Sequence, residues 1–319
     1  MKLSWVYDKV LLMQKLTIIY YPQELGAQYG GTNLAPELIK NLGLEQQLTD
    51  SNFDIVEVKS VDCGNRQDLQ PLPEDRPFIA SIIRSSEQAA EITDEATKEQ
   101  STVVTVGGDH TVNLGVFSGA ATATSGDIGM IYIDAHGDMN TPESSSSHNV
   151  HGMHLAALLG HGTQDMVNVY KQGTKLKPGN LLHVGGKDLD QFEIDLIKSE
   201  SIATYSVDDV VVDGLKPLFR KIDELVSRVN NIWVSFDLDS IDQQFAPGVG
   251  IPNRGGLSYR ESMAICDYIA KTCNLTGLDV VECNPPKDVD NNTSKLAIEV
   301  ILRLLGSKNG QYAQYMKNI

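Results

Sequence analysis

Asp134, His136 and Asp138 stand at a spacing of two in the run Ile133-Asp134-Ala135-His136-Gly137-Asp138, so in an extended segment all three side chains leave one face. A second pair at that spacing, Asp237 and Asp239, closes the run Trp233-Val234-Ser235-Phe236-Asp237-Leu238-Asp239. His110 follows Gly107-Gly108-Asp109 after a third apolar stretch. Ionised carboxylates gathered at the ends of buried strands repel one another and shift toward protonation unless a cation lies among them. Asp134, Asp138, Asp237 and Asp239 carry four negative charges between them, which two divalent ions would balance. His110 and His136 can add one nitrogen to each ion. Oxygen-rich ligation with two imidazoles suits Mn²⁺, Fe²⁺, Co²⁺ or Zn²⁺ better than Ca²⁺. A water shared by two such ions is acidified, which is the chemistry of a hydrolase.

These segments need strands to position them, and the chain supplies short β-branched runs alternating with longer helical patterns. Strands are expected at Leu16–Tyr21, Phe53–Val58, Thr102–Val106, Met130–Asp134, Leu181–Val184, Ile202–Tyr205, Trp233–Asp237 and Leu278–Glu282. Helices are expected at Ala35–Leu48, Pro77–Gln100, Leu215–Asn230, Ser258–Thr272 and Lys295–Leu305. That alternation predicts a single three-layer α/β/α domain around a mostly parallel sheet of about eight strands. No linker or repeat divides residues 1–319, and residues 1–13 read as an N-terminal extension. The Ser-rich stretch Asn140–Val150 follows the fourth strand, where α/β sheets place their ligands, and is read as a substrate loop.

Composition narrows the partners. The formal charge of −16 disfavours a nucleic-acid or anionic-membrane surface and is compatible with a cationic substrate. No stretch approaches the roughly 20 apolar residues of a membrane span. Cys63, Cys266, Cys273 and Cys283 show no CxxC spacing, so they read as free thiols in a reducing, cytoplasmic setting. No GxSxG or activated-cysteine context supports a nucleophilic Ser or Cys.

Gly107-Gly108-Asp109-His110, Asp134-Ala135-His136-Gly137-Asp138 and Ser235-Phe236-Asp237-Leu238-Asp239 resemble the three metal-binding signatures of the ureohydrolases, the arginase and agmatinase family. The resemblance continues through Ala246-Pro247-Gly248, Gly255-Gly256-Leu257 and Glu282-Cys283-Asn284-Pro285, and covers nearly the whole chain. It implies an eight-stranded α/β domain, a binuclear centre usually filled by Mn²⁺, and a homo-oligomer, commonly a trimer or hexamer. His110, Asp134, His136, Asp138, Asp237 and Asp239 would be the ligands. Asp138, His151 and Glu282 would be catalytic: Asp138 a ligand that also handles a proton, His151 a proton shuttle, and Glu282 the acid orienting a guanidinium.

The loops resemble those of arginases. Asn140, Ser147 and Asn149 would hold a substrate α-carboxylate, while Asp190 and Glu193, from the run Asp188-Leu189-Asp190-Gln191-Phe192-Glu193, would meet its α-amino group. The implied reaction is hydrolysis of the guanidinium of L-arginine to L-ornithine and urea. Three positions depart from the arginase pattern: Ile251 stands where Thr is usual, His148 where Gly is usual, and Gln243 where Pro is usual. Two alternatives therefore stay open here. One is another ureohydrolase, of agmatinase, guanidinobutyrase or formimidoylglutamase type; the other is a weakly active metal-binding regulatory homologue.

Overall fold

The computed structural model describes residues 13–307, so the extension expected at residues 1–13 lies almost wholly outside the described residues. Eight strands form one sheet: β1 (Lys15–Tyr21), β2 (Asp54–Ser60), β3 (Thr102–Gly107), β4 (Ile128–Ile133), β5 (Leu181–Val184), β6 (Ala203–Tyr205), β7 (Asn231–Asp237) and β8 (Leu275–Val281). Their order across the sheet is β2-β1-β3-β8-β7-β4-β5-β6, and every pairing is parallel. The "mostly parallel" expectation thus becomes wholly parallel.

A parallel sheet is covered on both faces, which explains why β3 and β4 carry no charged residue and are buried throughout. Alternate residues feed two cores. Ile131, Ile133, Val234 and Phe236 pack on the face covered by helices Lys216–Val226, Tyr259–Thr272 and Asn292–Leu304. Met130, Tyr132 and Trp233 pack on the other, against helices Ile79–Lys98 and Val112–Ala123. Those last two helices lie close together because Gly119 has no side chain; a Cβ there would sit 2.2 Å from the Ala90 carbonyl oxygen. The edges are blunted. Strand β2 is largely exposed and carries Asp54, Glu57 and Lys59, and β6 is three residues long.

One expected helix is two. Ala35–Asn41 and Leu44–Asp50 are separated at Gly43, whose φ of 89° is left-handed and ends the first helix. The four central strands β3, β8, β7 and β4 all point the same way, so their carboxyl ends share one rim of the sheet. Position on that rim is what the fold contributes to chemistry.

Candidate metal centre and active site

His110 is placed from below. After β3, Gly108 lies flat against the chain at Gln23, where a Cβ would come within 1.8 Å of the Gln23 carbonyl oxygen. Asp109 then accepts from Gly26 N at 2.7 Å and Thr111 N at 3.0 Å, which pins the loop. The His110 ring is fully buried and its Nε2 meets Ser235 Oγ at 2.8 Å. Ser235 donates its own proton to Asp279 Oδ1 at 2.6 Å, so Ser235 accepts from Nε2–H. Asp279, buried in the middle of β8, also accepts from Trp233 Nε1 and from Asn113 Nδ2. This chain fixes His110 with Nε2 protonated and leaves Nδ1 for other work.

That Nδ1 faces three buried carboxylates: Asp134 Oδ2 at 3.0 Å, Asp237 Oδ2 at 3.1 Å and Asp138 Oδ2 at 3.2 Å. One proton on Nδ1 cannot serve three anions. A dication can. The next cluster adjoins it: His136 Nδ1 lies 3.1 Å from Asp239 Oδ2 and 3.5 Å from Asp134 Oδ1. Asp134 therefore presents one oxygen to each cluster. Asp134 Oδ2 and Asp239 Oδ1 are buried and receive no hydrogen bond, a costly condition unless a cation accepts their lone pairs. His110, Asp134 and Asp237 form one set within ligand reach of a common ion, and Asp134, His136 and Asp239 form another. Asp138 groups with His110 and His154.

Without cations the cluster holds protons instead. Burial would lower His110, but Asp134, Asp138 and Asp237 outweigh it and push its pKa well above the usual value. His136 is likewise raised, by Asp239 and Asp134 against burial. Burial and the neighbouring Asp239 and Asp134 push Asp237 well up, and burial takes Asp239 to about 6 against the pull of His136. Both imidazoles must be neutral to ligate, so metal uptake displaces their protons. Calorimetric titration of Mn²⁺ near pH 7 in buffers of different ionisation enthalpy is expected to show release of more than one proton per chain. The apparent affinity should rise as pH is raised from about 6 to 8; an affinity independent of pH would contradict this placement.

Asp138 and Glu282 both adopt left-handed backbone, with φ of 51° and 63°. Such strain in non-glycine residues is tolerated where surrounding structure over-determines it, and the charges of both acids act on His151. Glu282 follows β8; its backbone N donates to Gly108 O, and its Oε1 accepts from His110 N and lies against His151 Nδ1, both at 2.9 Å. Burial would lower His151, but the Glu282 carboxylate dominates and holds its pKa at about 9.

The remaining expected residues fall into two groups. Asn140 Nδ2 donates to Asp190 Oδ2 at 2.8 Å, at the start of helix Gln191–Glu200. Glu193 accepts from Met139 N at 3.0 Å and Asp190 N at 2.8 Å, closing a capping box that ties this helix to the loop after Asp138. Burial takes its pKa to about 7. Ser147 is exposed, and its Oγ accepts from Asn149 N at 3.3 Å. Among the described residues no hydrogen bond joins Ser147 or Asn149 to Asn140 or Asp190. His148 between them has a φ of 56°, a conformation that glycine adopts without cost. Ile251 is half exposed.

Four residues with no expected role line this floor. Ser235 and Asp279 orient His110. His154, buried and neutral because burial lowers its pKa to about 3, places its Nδ1 3.8 Å from Asp138 Oδ2. Tyr132 donates to Asp138 Oδ2 at 2.6 Å.

Known proteins resemble this arrangement along almost the whole chain. A model of the arginase family matches residues 14–306. An arginase of Bacillus subtilis is 32% identical over 293 residues, covering 92% of this chain and 98% of that one. A crystal structure of the Bacillus caldovelox arginase superposes with a TM-score of 0.89 at 31% identity, covering 93% of this chain and all of that one. An Entamoeba histolytica arginase solved in complex with L-ornithine superposes at 0.85 with 27% identity, covering 92% and 99%.

Proposed function

We propose, from the premise that this chain belongs to the arginase family, that it hydrolyses the guanidinium of L-arginine to L-ornithine and urea at a pair of divalent cations. The observation that carries this reading is the His110 Nδ1 facing three buried carboxylates at 3.0 to 3.2 Å, a charge arrangement that asks for a metal. Manganese is the assigned ion, with Co²⁺, Fe²⁺ and Zn²⁺ as the others such ligands accept. His110, Asp134, Asp138 and Asp237 would hold one ion, and Asp134, His136 and Asp239 the other. When bound, the ions supply Lewis acidity that makes water nucleophilic near neutral pH.

The side chains do the rest. Glu282 accepts two charge-assisted hydrogen bonds from the planar guanidinium fork and turns its carbon toward the attacking water. Asp138 takes a proton from that water and passes it toward the leaving amine. His151, protonated at neutral pH beside Glu282, supplies a proton to the departing ornithine. Asn140, Ser147 and Asn149 bind the α-carboxylate, and Asp190, with Glu193 behind it, meets the α-amino group.

Urea release from arginine, agmatine, guanidinobutyrate and formiminoglutamate with Mn²⁺ tests the assignment. Activity on agmatine without activity on arginine would overturn it. Ser147→Ala and Asn149→Ala are each expected to raise KM for arginine about 3- to 10-fold with kcat nearly unchanged, since each removes one hydrogen bond worth roughly 1 kcal/mol to a group remote from the reacting carbon. A fall in kcat at constant KM would move these residues out of the binding role. The assembly is proposed to be a trimer or hexamer of identical chains. Cytoplasmic residence is proposed from the four unpaired cysteines. Among the described residues no helix is long and apolar enough to cross a membrane.

A further inference from the structure

We propose that Tyr132 is a positioning residue for the metal centre: its hydroxyl donates to Asp138 Oδ2 and holds that carboxylate turned toward His110. The proposal rests on the reading of Asp138 as a ligand. Tyr132 lies on β4 two residues before Asp134, so it leaves the sheet on the same side, and its fully buried ring packs in the core beneath the site. Only the hydroxyl reaches the ligands, where three acceptors compete for one proton. Asp138 Oδ2 is 2.6 Å away, His110 Nδ1 is 3.1 Å away and His154 Nε2 is 3.5 Å away.

Geometry and charge decide among them. The His110 ring stacks on Tyr132, with planes 10° apart and centroids 4.9 Å apart. The Nδ1 lone pair lies in the plane of its own ring and so runs alongside the phenol rather than into it. His154 Nδ1 donates to the His151 carbonyl at 2.7 Å, which leaves Nε2 a bare acceptor at the outer limit of a hydrogen bond. The carboxylate is both the shortest partner and the charged one, so the proton goes there.

Asp138 needs such a partner. Its backbone is left-handed, outside any strand or helix, and its carbonyl is the atom tied down, by Leu155 N and Ala156 N. With His110 Nδ1 a bare ligand atom, the phenol is, among the described residues, the single hydrogen-bond donor to this carboxylate. Rotation about the terminal torsion of an aspartate is soft, and a ligand free to rotate spends less time facing the ion. The rigid ring of Tyr132, anchored in a strand, removes that freedom.

The test is a metal titration that needs no substrate, so a failure of arginine as substrate leaves it standing. In Tyr132→Phe the ring is kept and the hydroxyl alone is lost. The Kd of one of the two Mn²⁺ equivalents is expected to rise 10- to 100-fold, with the other within about threefold. Asp138→Asn supplies the arm that separates positioning from general packing. If the phenol works through Asp138, adding Tyr132→Phe to Asp138→Asn should weaken binding by less than about threefold further. Unchanged affinities in Tyr132→Phe, or losses that multiply in full in the double variant, would overturn the proposal. Failure of the unmodified chain to take up two equivalents of Mn²⁺ would overturn the metal reading and this proposal together.

Discussion

Asp239→Asn is expected to lose one of two bound cations and about 10³-fold or more of the hydrolytic activity, roughly 4 kcal/mol of transition-state stabilisation. Asp239 and His136 belong to the one set that meets Asp134 on the side away from His110, so that ion has three protein donors in reach. Asparagine keeps the shape, removes the charge and puts an amide N–H₂ where a lone pair is needed. Elemental analysis of reconstituted protein alongside a urea assay reads both losses, and retention of either would remove Asp239 from the ligand set. Misfolding is separated by the metal-free protein. Burial raises Asp239 to about 6, above the ordinary carboxylate range. A raised carboxylate binds its proton more tightly folded than unfolded, so metal-free wild type loses stability from this group as pH climbs from about 4 to 6. The asparagine variant escapes that loss. Because the variant also gives up the attraction that holds the His136 proton, the control for folding is a metal-free circular dichroism spectrum at pH 7 that matches the wild type.

How far such a site can be read from sequence depends on where its partners lie along the chain. Asp134, His136 and Asp138, and again Asp237 and Asp239, announce themselves because each group lies within five residues at or just past the end of an apolar strand, although the structure turns them inward through a bend, with Asp138 left-handed, and a 3₁₀ turn rather than through an extended segment. Convergence of β3, β4, β7 and β8 on one rim needed only the rule that parallel strands share a carboxyl edge. The floor of the site is different. Tyr132, Ser235 and Asp279 are silent until the strands are laid side by side, since Ser235 reaches back 125 residues to His110 and Asp279 pairs with it across 44. Asp279 left one trace, a carboxylate inside the apolar run Leu275–Val281, where an unpaired charge would be prohibitive. Helix Val112–Ala123 was hidden for the opposite reason. Its sides are almost all buried, so it has no polar stripe, and it contains two poor helix formers, Gly115 and Gly119, which allow the approach of Ser86 and Ala90. For Glu193 the spacing from Asp190 carries two meanings. In the structure both its oxygens accept backbone N–H groups, from Met139 and from Asp190, which ties the start of this helix to the loop after Asp138.

Glu282→Gln is expected to lower kcat/KM for arginine about 10³-fold while both cations stay bound. Glu282 is absent from the clusters that could ligate, so metal content reports on a different function from turnover. A carboxylate offers the guanidinium two charged acceptors; glutamine offers one neutral acceptor and turns N–H toward N–H. Losing a charge-assisted pair and gaining that clash is worth roughly 4 kcal/mol in a buried site. The backbone cost at φ 63° is the same for either residue, and the amide oxygen can still accept from His110 N, so the fold should stand. A second readout is the pH dependence. Glu282 holds His151 at about 9 against burial, and burial alone lowers an imidazole. Removing the anion must therefore move the His151 titration to lower pH. The alkaline limb of kcat/KM should shift toward acid in the variant, since that profile reports groups of the free enzyme. A variant whose alkaline limb is unmoved would break the link between Glu282 and His151, and one that keeps arginine turnover within threefold would remove Glu282 from the substrate.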